Sequence, residues 1–223
     1  TLRARAAQYR VYLDQLAAID EGALSSEAQT NALVLRTLLE AEIGDARFSE
    51  WEMPFDSDSN FWSYLAGRSG FSTVEDYENY NGRMNDIPRY FAEQTANARA
   101  GLERGFSVPR VTLEGRDVSI ASYVVDDPEK SPFWKPFADI PDSFAPDVRE
   151  RLRDAGREAI RGSVTPAYAD WLAFWREEYL PNTRTTLGAS EFPEGARTLH
   201  LQAQLPVHER SSGRPGRLQP GRG

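Results

Sequence analysis

The chain has two histidines, His200 and His208, and its sole His-Glu pair is His208-Glu209. A helical zinc peptidase needs His-Glu-x-x-His, because histidines four apart share one face of a helix and the glutamate between them serves as base. Here Arg210-Ser211-Ser212 follows with no second histidine, and Pro206 and Pro215 discourage a helix. The run Asp56-Ser57-Asp58-Ser59-Asn60 alternates oxygens like a calcium loop, but Phe61 stands at the turn glycine and Gly67 at the bidentate glutamate. It reads as a solvated acidic turn. A serine triad would have to recruit His200 or His208, and no Gly-x-Ser-x-Gly elbow exists. The absence of cysteine removes disulfides, thiolate zinc sites and a thiol nucleophile together. Gly101 and Gly105 lack a following Lys-Ser or Lys-Thr, so they form no phosphate cradle. Glu177 and Glu178 could serve acid/base work, but adjacent residues on a helix point about 100° apart, which favours a solvated face. The ladder Tyr168, Trp171, Trp175 and Tyr179 could line a peptide groove, although helical spacing of aromatics is the pattern of a core. No residue is therefore assigned a catalytic, cofactor-binding or metal-binding role.

The elements that would position these groups are helices. Leu2, Ala6, Tyr9, Leu13 and Leu16 recur at steps of three and four, and predict a helix to about Ile19. After a turn over Asp20 to Leu24, Ser26 and Gln29 have capping-box spacing, and Ala32, Leu35, Leu39 and Ile43 share a face. The short connection makes these two helices antiparallel. Phe48 to Ser72 reads as a long surface crossing with one short helix near Phe61 to Leu65. Thr73, with Glu75 and Asp76 in the first turn, caps a third helix that Pro88 is expected to end near Asp86. A further helix carries Ile87, Phe91, Gln94, Ala98 and Leu102 to a cap at Gly105. Pro109 opens another, with Val111, Val118, Ala121 and Val125 at near-helical steps. Ser131 to Pro141 is an ordered aromatic loop. Pro146 starts a helix bearing Val148, Leu152, Ala155 and Ala159, and Pro166 opens the one that holds the aromatic ladder. Sustained period-two alternation is absent, so the fold class is all-α, an antiparallel bundle-like array with long ordered loops.

The 223 residues carry 26 basic against 34 acidic side chains, a net charge of −8, which argues against nucleic acid or an anionic membrane as partner. No stretch is apolar enough to span a membrane, and the start at Thr1 has no signal-peptide plan. An aromatic content of 11% with 40% apolar residues requires a folded core. Residues 1–197 are expected to form one helical domain. Residues 198–223 hold four arginines, four glycines, three prolines and one acid, and are expected to be a disordered basic tail. Only two lysines, Lys130 and Lys135, against 24 arginines is the usage expected of a GC-rich gene, and out-of-frame reading of such a gene tends to yield Arg, Gly and Pro. The tail is thus either a frameshift product or an interaction arm.

Several short pieces occur in order: Arg47-Phe48, Glu50-Trp51-Glu52-Met53-Pro54, Phe71-Ser72-Thr73, Asp76-Tyr77, Arg83 and Ile87-Pro88-Arg89-Tyr90. They continue through Gly101, Gly105, Pro109-Arg110, Asp127-Pro128-Glu129, Ser131-Pro132-Phe133 and Pro166-Ala167-Tyr168. Glu178-Tyr179-Leu180-Pro181, Arg184-Thr185, Gly188 and Pro193-Glu194-Gly195 complete the series. Over roughly residues 4 to 197 the chain resembles the N-terminal half of the bacterial family called domain of unknown function 885. That resemblance implies a protein similar to helical zinc metallopeptidases, commonly exported or lipid-anchored, with zinc and a peptide substrate belonging to the complete protein. The family's zinc motif lies in its C-terminal half, so none of the matching positions is a ligand, and no cofactor is expected in this chain. The resemblance implies an inactive, truncated portion. The alternative is a non-catalytic helical protein-binding module that uses its basic tail. If Trp171, Trp175, Tyr179, Phe133, Trp134 and Phe137 normally face the missing half, self-association through exposed apolar surface is expected.

Overall fold

The computed structural model describes residues 2–56, 59–66, 70–188 and 191. Among them there is no strand, and the chain is all-α. They group into two compact units divided after Gly44. The expected tail from residue 198, with His200, His208 and Glu209, lies outside the described residues.

The first unit contains α1 (Leu2–Ala17), a 3-10 turn at Glu21–Ala23 and most of α2 (Ser26–Phe48). The cap of α2 falls one residue earlier than the spacing implied. Ser25 Oγ accepts from the Ala28 amide at 3.2 Å, because Ser26 already belongs to the first turn. Gln29 Nε2 instead donates back to the carbonyls of Glu21 and Leu24. Arg5 pairs with Glu42 at 3.3 Å and Arg36 pairs with Glu21, joining the two helices and their connection. Ala6, Leu16, Ala32 and Leu39 are buried, but Leu35, expected on the same face, is exposed together with Leu33, Val34 and Leu38.

In the second unit α3 (Val74–Glu103) runs uninterrupted through Pro88. The Pro88 ring lies on the exposed face and the helix runs on past it, so the expected break near Asp86 does not occur. Thr73 and Asp76 form the capping box at its start. At its end Gly105, at φ 72°, gives the left-handed turn, with Gly105 N bonded to the Leu102 carbonyl and Phe106 N to that of Gly101.

Two more expectations fail in this unit for local reasons. The helix expected from Pro109 to Val125 is reduced to a 3-10 turn (Arg110–Thr112) and a short α4 (Asp117–Ala121). Gly115 at φ 75° separates them, leaving Val111 and Val118 facing solvent. The stretch after Phe48 is no surface crossing and forms no helix near Phe61; it turns inward and buries Phe55 and Trp62. Ser131 to Pro141 is ordered as expected, folding into a 3-10 turn (Pro132–Trp134) and α5 (Lys135–Ala138) with Phe133, Trp134 and Phe137 buried.

From Pro146 to Asn182 the backbone is one continuous helical run: α6 (Pro146–Ala159), a π turn (Ile160–Val164), α7 (Thr165–Phe174), a second π turn (Trp175–Tyr179) and α8 (Leu180–Asn182). The wide turns are fixed by Thr165 N bonding the Ile160 carbonyl and Leu180 N that of Trp175. Each lies just ahead of a proline, Pro166 and Pro181, and the extra residue in the turn makes room for the ring. They also keep the stripe straight. In an ideal α-helix each four-residue step drifts about 40°, and Ile160, Val164, Tyr168, Trp171, Trp175 and Tyr179 step mostly by four yet all remain buried. On α6, Ala155 is exposed and Gly156 takes the inward place, where a methyl group would meet the Phe137 ring at 2.9 Å.

Candidate functional site

The aromatic stripe is core. Trp171, Trp175 and Tyr179 are at most 1% exposed, and they pack with Phe55, Phe61, Trp62 and Phe91 at ring separations of 4.9 to 6.4 Å. Edge-to-face pairs of this kind add about 0.5–1.5 kcal/mol each beyond area burial. Phe133 and Phe137 are equally enclosed, and Trp134 nearly so. These six rings are therefore not the exposed apolar surface expected of them, because the rest of this unit already covers them. Tyr168, whose hydroxyl donates to the Trp62 carbonyl at 2.6 Å, has its ionisation pushed far up by burial, as has Tyr179. Neither is a proton carrier near neutrality.

Of the paired glutamates, Glu177 is exposed and Glu178 is clamped by Arg99, with Nε–Oε1 at 2.5 Å and Nη2–Oε2 at 2.7 Å. The Arg99 hydrogen bond holds Glu178 below the usual carboxylate range, a state suited to an ion pair and unsuited to a general acid. Gly101 serves close packing: a Cβ there would lie 2.2 Å from the Glu52 carbonyl oxygen. Asp56 caps a local turn, its Oδ1 accepting from Ser59 N at 2.6 Å and its Oδ2 from Ser59 Oγ at 3.0 Å, while Asn60 Oδ1 accepts from Ser63 N. Ser57 and Asp58 lie outside the described residues. Among the described residues no three His, Asp or Glu side chains converge as a metal site. The described residues therefore offer zinc no ligand set.

One cleft, of about 480 Å³, escapes the sequence reading. Its walls are Asp56, Ser59 and Asn60 on one side and Gly115, Arg116, Val118, Ser119 and Ser122 on the other, with Trp62 and Trp175 between. Trp62 Nε1 donates to Ser119 Oγ at 3.1 Å, and that hydroxyl donates to the Arg116 carbonyl at 2.7 Å, so the two walls are tied across 57 residues of chain. Serines and an asparagine in an irregular stretch carry no periodic signal, and only the fold brings them together. A second hollow, between Tyr64, Tyr80, Arg83 and Phe133, is far smaller at about 70 Å³.

The short pieces that carry the family resemblance also meet in space, as staples. Arg110 N donates to the Arg184 carbonyl at 2.8 Å and Arg110 Nη2 to those of Pro181 and Thr183. Arg184 returns Nε to the Ser107 carbonyl at 2.8 Å and its amide to Ser107 Oγ at 3.0 Å. Arg104 binds Glu52 at 2.7 Å and the Phe48 carbonyl at 3.0 Å. These bonds satisfy backbone carbonyls left free where helices end.

Fold and site together define an all-helical protein with an aromatic core and a polar cleft. The model of the family described as bacterial protein of unknown function, DUF885, matches residues 1–209, and the chain belongs to that family. The match runs twelve residues past Arg197, where the resemblance carried by the motifs stops. No curated protein and no solved structure matches the chain.

Proposed function

We propose that this chain is the N-terminal helical portion of a zinc-metallopeptidase-like protein, a non-catalytic wall beside the peptide-binding region that is inactive alone. The observation that supports inactivity of this portion is the engagement of Glu178, one of the two adjacent carboxylates weighed for acid/base work, in a two-bond pair with Arg99. On this reading zinc and the peptide substrate belong to the complete protein. The purified chain, dialysed and assayed for metal and for release of dipeptides, is expected to hold no stoichiometric zinc and to cleave nothing. One zinc per chain with peptide release, abolished by His208→Ala, would contradict the reading.

A second reading, a helical protein-binding module with a basic tail, is favoured by the burial of the rings that a truncated half would leave open. The gene discriminates between the two. A His-Glu-x-x-His codon pattern in the next frame, several hundred nucleotides beyond codon 197, supports the first, and the same tail in relatives supports the second.

A further inference from the structure

We propose that the α1–α2 hairpin is the interface of a symmetric dimer, with a second copy of this chain as its partner and a four-helix bundle as the product. The proposal rests on the hairpin alone and is independent of the peptidase-like reading. Tyr12 and Ile19 on α1, and Val34, Leu35 and Leu38 on α2, are 46–58% exposed. Arg5, Tyr12 and Ile19 recur at seven-residue steps, and Leu35, Leu38 and Glu42 at steps of three and four, so each set runs along one line of its helix. Both lines lie on the same side of the hairpin, because Arg5 at the end of one bonds Glu42 at the end of the other, at 3.3 Å.

Width, area and charge select the occupant. On α2 the exposed Val34, Leu35 and Leu38 adjoin the buried Ala32 and Leu39, which makes an apolar stripe about 160° wide at 100° per residue. One facing helix covers only part of such a stripe, and a width of this order belongs to a bundle helix with two neighbours. The five exposed side chains offer about 500 Å² on each copy, and with the flanking Gln8, Gln15 and Asn31 a pair reaches the roughly 1,200 Å² at which specific interfaces begin. Those flanking residues are uncharged, so no ion is stripped of water along the middle of the contact. A two-fold axis parallel to the helices sets α1 of each copy antiparallel to α2 of the other, in up-down-up-down order. Arg5 and Glu42 of the two copies then alternate in sign around one end of the bundle. Turned end for end, the second copy would instead bring Glu27 against Glu42, a like-charge contact. A foreign partner would have to reproduce this order of charges, whereas a second copy already carries it. The contact is small, so the dilute chain keeps its hairpin half open.

The test is sedimentation of the full chain across a hundredfold range of concentration. A monomer–dimer equilibrium is expected, with a dissociation constant on the order of 10 μM and no larger species, since a two-fold contact closes on itself. Leu38→Glu, on an exposed side chain, should weaken association by roughly tenfold or more, with circular dichroism verifying the fold. Arg5→Glu and Glu42→Arg should each weaken it alone, because four like charges then meet at one end of the bundle. An equimolar mixture of those two variants should associate more tightly than either one, since opposite charges now face each other only between copies. A role of the Arg5–Glu42 pair confined to one hairpin would leave the mixture no tighter than its parts. Should Leu38→Glu not fold, the mixture decides alone. A monomer at every concentration would mean that another segment of this chain or a foreign protein covers the stripe, and would overturn the proposal. So would association unaltered by Leu38→Glu, assembly beyond the dimer, or a mixture that gains nothing.

Discussion

The two units of this chain treat their apolar residues in opposite ways. In residues 45–191 the large rings interlock, and Trp62, Tyr77, Tyr80, Trp171, Trp175 and Tyr179 are at most 2% exposed. In the α1–α2 hairpin the most buried positions are Ala6, Leu16, Ala32 and Leu39, while Leu33, Val34, Leu35 and Leu38 stand about half exposed along α2. Both stretches are helical with apolar residues at steps of three and four. Aromatic side chains bury 150–250 Å² each and lock with neighbours from several elements, whereas the aliphatic residues that are buried in the hairpin, among the described residues of that unit, are small or single positions on two helices. Periodicity therefore reports helix in both units but reports core only where the stripe is wide and many elements converge on it.

The contrast can be broken most strongly at its centre. Trp171→Ala is expected to destabilise the chain by about 3–5 kcal/mol, and Leu38→Ala on the hairpin to stay within about 0.5 kcal/mol, both read from denaturant titration. Equal losses would erase the distinction. Gly101→Ala comes next. Its methyl group would sit 2.2 Å from the Glu52 carbonyl oxygen, a backbone atom that must move, for a cost of about 1–3 kcal/mol.

A smaller loss than at Gly101 is expected at the cap of α3. Thr73→Ala should cost about 1 kcal/mol by denaturant titration. Hydrogen bonds from the Ser72 amide, then from the Thr73 side chain and amide, lower the Asp76 pKa below its ordinary 3.8. A carboxyl whose folded pKa is depressed adds stability that is whole above the ordinary value and lost as pH falls through the folded one. Asp76→Asn should accordingly flatten the acid limb of the stability profile below about pH 4 and leave its shape near neutrality unchanged.

How much of this was legible in the sequence depends on what each residue answers to. The helix cap at Thr73, the terminal glycine at Gly105 and the ladder from Tyr168 to Tyr179 are local patterns, and each is found where the spacing put it. Pro88 and Pro166 read as boundaries because a proline removes an amide, but the helix runs on past the exposed Pro88 ring and a π turn ahead of Pro166 absorbs the loss there. Phe55 and Trp62 sit in an aperiodic stretch, so nothing local marks them as core. The cleft was illegible for the same reason: Ser119 is paired with Trp62 and Tyr168 with the Trp62 carbonyl, at separations of 57 and 106 residues.

Hydrogen exchange followed by mass spectrometry on the intact chain tests the division into a closed aromatic unit and a loosely buried hairpin most directly. Peptides from α3 and from residues 146–182 should exchange only through global unfolding, with protection that tracks the denaturant-derived stability, while those from α1 and residues 26–44 should exchange through cheaper local opening. Protection in the hairpin equal to or above that of the ring-bearing helices would contradict the account.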